Sequence, residues 1–226
     1  MVEVKVDAIA AELMAEVRRH LNGVVAAAIR NEGAGYPFCL GVPLPTLREI
    51  GRRYAPNQPL ARLLLSRAMR ESMLLASIIG DPSRHNDSDT QLWVDTFKYG
   101  ECIEVACADY FWKLDSACPL AYEWLFMDEL KMQRAGITLL ANLYRKDPKR
   151  ANPSNPYTLD QLYRRIALLS ATAALFQPLL FLSQWLARSG AGDKLIGVLN
   201  DTELPQESHG TRLQLVECIR FEREES

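Results

Sequence analysis

Prolines and glycines cut this chain into short helical blocks, and that punctuation limits its fold more than any other feature. From residue 6 to 31 apolar residues recur at helical spacing: Ile9, Leu13, Met14, Val17, Leu21, Val24, Val25 and Ile29. Such spacing lines one face of a helix. The segment from Gly33 to Pro45 then holds Gly33, Gly35, Pro37, Gly41, Pro43 and Pro45. Later breaks fall at Pro56 and Pro59, Asp81-Pro82, Ser116 to Pro119, Asp147 to Pro156, Ser189 to Gly192 and Leu204-Pro205. Proline removes a helix N–H and clashes with the preceding turn, so each break ends a helix. No stretch alternates apolar and polar residues long enough to argue for a sheet. Many short helices bury their apolar stripes by stacking in pairs. The breaks allow pairs of about 40 residues, the HEAT-like period. The expected fold is all-α, an α-solenoid of HEAT-like helix pairs in a right-handed stack, forming one domain over residues 1–226. The Asp147–Pro156 linker is the best candidate hinge.

A chain of 226 residues, 48% hydrophobic, is ample for a sizeable core. Lys+Arg 26 nearly balance Asp+Glu 28, which excludes a generally basic nucleic-acid binder but not a local basic groove. The five cysteines (Cys39, Cys102, Cys107, Cys118 and Cys218) are odd in number and irregular in spacing, and no secretory signal precedes them. Reduced thiols in a cytoplasmic protein are expected. No charge occurs from Ile166 to Ala187, long enough to span a bilayer. Pro178 and the polar residues Ser170, Thr172, Gln177, Ser183 and Gln184 argue instead for two buried helices packed together.

Several chemistries lack their residues. His20, His85 and His209 stand far apart, without cysteine or carboxylate at ligand spacing, so no zinc site is expected. No Gly-x-Ser-x-Gly elbow occurs. Ser189-Gly-Ala-Gly-Asp-Lys194 lacks Walker spacing and follows no strand, and reads better as a helix C-cap and turn. No cofactor is expected.

Four blocks carry a family resemblance. They are Phe38 to Arg48 (Phe-Cys-Leu-Gly-Val-Pro-Leu-Pro-Thr-Leu-Arg), Leu64 to Ala76 with Glu71 before an apolar run, Trp93 to Cys107, and Ala121-Tyr-Glu-Trp followed by Lys131 to Ile137. Their order and spacing resemble the DNA alkylation repair family, the HEAT-like-repeat DNA glycosylases, over residues 36 to 146. The resemblance implies release of cationic N-alkylated purines from DNA by an aspartate and two tryptophans in a basic concave groove. A carboxylate there stabilises the positive charge that grows on the sugar. Aromatic faces favour cationic groups, and arginines grip phosphates.

At the third block the family's Trp-Asp-x-x-Asp is Gly100-Glu-Cys-Ile-Glu104, so the groove tryptophan is Gly100 and the catalytic aspartate is Glu104. Arg134 matches the groove arginine. Gln184-Trp-Leu-Ala-Arg188 resembles the family's Trp-x-x-Arg, with Phe181 where a Lys is usual. The resemblance thus points to Glu104 as the catalytic candidate, and to Arg134, Trp185, Arg188 and Lys98 for DNA. Each has a plainer alternative. Glu104 suits a solvated helix face beside Glu101, and Arg134 suits a pair with Glu129 or Asp128. Trp185 suits the core, as do Trp93, Trp112 and Trp124. The basic groups Arg145, Lys146, Lys149, Arg150, Arg164 and Arg165, and Arg48, Arg52 and Arg53, suit helix-end complements or a phosphate-contacting rim.

The expected function is binding of double-stranded DNA, damaged or distorted, with glycosylase activity weak or lost. An α-solenoid that binds a protein partner, with no DNA role, is the alternative, and the uncharged segment would suit it.

Overall fold

A computed structural model describes residues 2–153, 156–203, 205–206 and 209–224. Residues 154–155 of the Asp147–Pro156 linker and Leu204 of the last break lie outside these. The chain divides into two compact units, Met1–Leu114 and Asp115–Ser226. Thirteen α-helices and a few short 3-10 turns are present among the described residues, with one isolated β-bridge, Phe38 to Met69. The all-α expectation holds.

Unit one contains α1 (Val2–Arg18), α2 (Gly23–Asn31), α3 (Leu44–Arg52), α4 (Gln58–Leu65), α5 (Arg70–Ile79), α6 (Asp87–Val94) and α7 (Gly100–Asp109). The helical run over 6–31 is therefore two helices. Asn22 starts the second, its side chain accepting from Val25 N–H at 3.1 Å. Asn57 caps α4 in the same way, with Pro59 in the first turn, where its missing N–H costs nothing. Asn86 and Asp89 form a reciprocal capping box at the start of α6. The Leu64–Ala76 block is not one helix, because the chain breaks between α4 and α5.

The packing is layered. α5 lies against α3 and α7, and α4 lies against α1, α5 and α6. Trp93 fills the core, stacked on Tyr110 at 4.2 Å and donating from Nε1 to Ser77 Oγ at 3.2 Å. Before α3 the chain crosses α2 so closely that Gly41, at φ 71°, admits no side chain. A Cβ there would stand 2.3 Å from the Asn22 carbonyl oxygen.

This crossing loop is held by buried ions. Glu71, fully buried, accepts from Leu40 N–H at 3.0 Å and Val42 N–H at 3.3 Å. Arg70 reaches Glu71 at 3.0 Å and holds Glu101 of α7 through Nε at 2.7 Å and Nη2 at 2.6 Å. A two-pronged guanidinium–carboxylate pair of this kind fixes geometry as well as charge. Arg48 pairs with Asp109 at 3.0 Å, and Arg53 pairs with Glu16. These two arginines are thus engaged in ion pairs.

Unit two contains α8 (Ala117–Phe126), α9 (Leu130–Lys146), α10 (Leu159–Leu169), α11 (Phe176–Leu186), α12 (Gly192–Asp201) and α13 (His209–Glu224). Thr158 and Gln161 form the capping box of α10. α9, α11 and α13 make one layer, while α10 packs on α12. α9 also lies along α8, and Gly136 permits the approach, since a Cβ there would stand 2.4 Å from Leu125 N. Arg165 donates to the carbonyls of Leu125 and Met127 and lies over the Phe126 ring, so it closes the end of α8.

The uncharged segment does form two helices, the end of α10 and α11. Each packs on other neighbours, α10 on α12 and α11 on α9 and α13, rather than chiefly on its partner in sequence. The α10 and α11 stripes satisfy different layers. Among the described residues no helix is long and apolar enough to cross a membrane.

Candidate nucleic-acid interface

α9 is apolar on nearly every side. Met132, Ala135, Ile137, Leu139, Leu140, Ala141 and Leu143 are all buried. One line of polar residues interrupts this: Lys131, Arg134, Thr138, Asn142 and Arg145, spaced by three and four and hence on one face. Hydrogen bonds run along it. Thr138 Oγ1 donates to the Arg134 carbonyl at 2.7 Å, and Asn142 Nδ2 donates to the Thr138 carbonyl at 2.9 Å. Arg145 Nη2 donates to Asn142 Oδ1 at 2.9 Å. Arg134 is half-buried, and Glu129 pairs with Lys131 at 3.3 Å.

The line continues onto α11. The Arg145 guanidinium lies 5.8 Å from the Phe181 ring centre, and Phe181 meets Trp185 edge-on at 6.3 Å. Arg188 lies over the Trp185 ring at 4.8 Å. Its Nε and Nη2 are each 2.6 Å from Oε2 of Glu222, a buried residue of α13. Trp185 is half-buried rather than core, because it sits on the side of α11 away from Leu179, Leu182 and Leu186. Two cations thus flank two aromatic rings on one face of this layer. Such surfaces hold phosphates through the cations and bases or sugars through the rings.

The structure brings Trp185 and Arg188 into contact, and gives them Phe181 and Arg145 as neighbours. Arg134 lies on the same face of α9 as Arg145. Thr138, Asn142 and Glu222 were not expected from sequence. The first two carried a signal, polar residues at helical spacing inside an apolar run, whereas Glu222 is reached only by tertiary packing.

The remaining candidates lie in unit one. Gly100 opens α7, and Glu104 follows one turn later on an exposed part of that helix. Glu101 is engaged with Arg70 and is also 3.3 Å from the Tyr36 hydroxyl, so it does not share the solvated face of Glu104. Lys98 is exposed, its ammonium 5.2 Å from the ring centre of Tyr99, which stacks on Tyr36 at 4.1 Å. Burial pushes the Cys102 thiol up to about 12 and raises Cys107 further, with Glu104 adding to the latter. Both thiols stay protonated. Trp93 and Trp124 are core residues as expected, but Trp112 is half-buried. It sits in the short turn Phe111–Lys113, where Phe111 takes the inward position.

Residues 13–177 match the model of the family described as DNA alkylation repair enzyme. Among solved structures, one from a family of proteins related to the HEAT-like repeat DNA glycosylases, with affinity for branched DNA structures, is similar at a TM-score of 0.69. The two chains are 17% identical, and the match covers 92% of this chain and 94% of that chain. At this identity the likeness establishes a shared HEAT-like-repeat fold. No curated protein matches the chain.

Proposed function

Because the chain belongs to the DNA alkylation repair enzyme family, we propose that the α9–α11 face of unit two binds double-stranded DNA, and distorted or damaged duplex in preference to intact. The observation that carries this is the run Arg145, Phe181, Trp185 and Arg188, in which two cations flank two rings at successive separations of 4.8 to 6.3 Å. The affinity of the structurally similar family for branched DNA structures supports a DNA ligand. Arg134 extends the basic line along α9, and Lys98 is a second, exposed phosphate contact in unit one.

Base release by this protein is weak or lost. Where the family is expected to carry tryptophan and aspartate, this chain has Gly100 and Glu104. Gly100 offers no ring to wall an alkylated nucleotide. Glu104 keeps the carboxylate but adds a methylene, and a displacement of about 1 Å costs roughly a hundredfold in rate.

Fluorescence anisotropy tests the binding reading, with intact, abasic, methylated and four-way-junction duplexes at low and physiological salt. Salt-sensitive binding that favours the distorted substrates is expected. Absence of binding at low salt would remove the DNA reading and favour the protein-partner alternative. Base release from methylated DNA, compared between wild type and Glu104→Gln, tests the residual chemistry. Equal rates would take Glu104 out of it.

A further inference from the structure

Unit two also contains an open cleft of about 390 Å³, lined in part by Tyr144, Lys149, Asn152, Tyr163, Gly190 and Lys194. It joins the end of α9, the start of α10 and the turn between α11 and α12. The Ser189–Lys194 segment enters it as the end of a short π turn, Ala187–Ala191, followed by the first turn of α12. Gly190 at φ 86° breaks the helical path between α11 and α12, and the space where its Cβ would stand is open, so the backbone faces the cleft.

The lining is basic and has unused hydrogen-bonding capacity. Lys149 and Lys194 are exposed, and among the described residues neither has a carboxylate at salt-bridge distance. Asp193, the neighbour of Lys194, is already held by Arg223 at 2.6 Å. Tyr163 is 2% exposed, and its hydroxyl has no hydrogen-bond partner among the described residues. The ring is buried but the hydroxyl oxygen is not sealed from solvent, so it opens on the cleft, where water or a ligand completes its bonding. Burial raises the Tyr163 phenol, and Asp160 one turn earlier adds to it, so the hydroxyl keeps its proton and donates. Tyr144, beside it, is 5% exposed.

We propose that this cleft is a phosphate-binding site, with Lys149 and Lys194 supplying charge and the Tyr163 hydroxyl a directed hydrogen bond. Two ammonium groups and a neutral donor around an open cleft match a tetrahedral polyanion, which accepts on several oxygens at once. The Asn152 amide adds a further donor. The phosphate belongs either to a nucleic-acid backbone or to a free phosphate compound, and the chemistry of recognition is the same. The site is separate in its residues from the Arg145–Arg188 run and stands whether or not that run binds DNA.

The test is a titration of the full chain with inorganic pyrophosphate, followed by backbone amide shifts and by calorimetry at constant ionic strength. Saturable shifts at Lys149 to Asn152 and Ser189 to Lys194 are expected at millimolar ligand. Lys149→Gln with Lys194→Gln removes only exposed side chains, so the fold stays intact, and binding should weaken at least about tenfold. Tyr163→Phe should weaken it about threefold without changing net charge. Two further arms identify the source. Loss of duplex affinity in the double lysine variant, with competition between duplex and pyrophosphate, assigns the site to the DNA backbone. Unchanged duplex affinity with pyrophosphate still bound assigns it to a free phosphate compound. Absence of saturable shifts in the wild type, or equal shifts in the double variant, would overturn the proposal.

Discussion

Arg188 is held on two sides: its guanidinium covers the Trp185 ring at 4.8 Å while Nε and Nη2 converge on one oxygen of Glu222 at 2.6 Å. Glu222 is 6% exposed, so this bond is made by a buried carboxylate. The arginine is therefore pre-positioned, and its presentation to a ligand is tied to the stability of α13.

Arg188→Ala is expected to cost about 1–3 kcal/mol in unfolding free energy, because it removes both charged hydrogen bonds that Arg188 makes to the buried Glu222 carboxylate. Pairing Arg188→Met with Glu222→Met should recover most of that loss but none of the DNA affinity. Urea midpoints and duplex titrations on the three proteins separate the two effects.

Trp185→Ala should weaken duplex binding by about tenfold, in keeping with the worth of one aromatic stacking partner. Its effect on thermal unfolding should be small, since the ring is half-buried. Trp185→Phe should keep most of the affinity. Equal affinity in all three would show that the ring does not meet the ligand.

Arg70 offers the opposite case. Arg70→Met strands Glu71, and a loss of about 3–5 kcal/mol is expected. Adding Glu71→Met should not rescue the protein, because Glu71 also satisfies the N–H groups of Leu40 and Val42. Urea unfolding of the single and double variants checks this.

Acid should weaken unit one in two windows. His85 is half-buried against Tyr110 and Thr90, and this desolvation holds its imidazole below the ordinary value of about 6.5. Below that value the unfolded chain takes up a proton that the folded one resists. Its contribution to stability is therefore full at neutral pH and falls as pH drops from about 6.5 through the folded pKa. Burial alone would raise Asp89, but bonds from Arg62 at 2.5 and 2.9 Å bring it below its usual range. Its stabilisation is full above about pH 4 and is lost as pH falls through the lowered folded value. His85→Gln should flatten the upper window and leave the lower one in place. Urea midpoints measured from pH 3 to 8 would show both.

Much of the architecture was legible in the sequence. Pro56 and Pro59, Asp81-Pro82 and Asp147 to Pro156 mark breaks between helices because proline cannot continue one, which is local chemistry. The breaks at Gly33–Pro45 and Ser189–Gly192 were visible from their glycines, another local signal. Tertiary choices were not. The apolar stripes of α10 and α11 say that each is covered but not by which helix. Trp112 and Trp185 have apolar neighbours in sequence and yet sit beside the buried positions rather than on them. The Arg70, Glu71 and Glu101 cluster joins residues 31 apart, and no spacing within one helix announces it. At the candidate interface, the Trp-x-x-Arg spacing indicated the α11 contact, whereas Phe181 and Arg145 became its neighbours only through the packing of α9 on α11.

The polar line of α9 carries a consequence for how this protein can change over generations. Every other side of that helix is committed to packing, so substitutions there are paid in folding before any ligand is met. Along Lys131, Arg134 and Arg145 the same helix meets solvent, and new side chains alter what is bound while the fold persists. Ligand preference can therefore drift along one narrow row of an otherwise fixed scaffold, and relatives of the same architecture are expected to differ first at these positions.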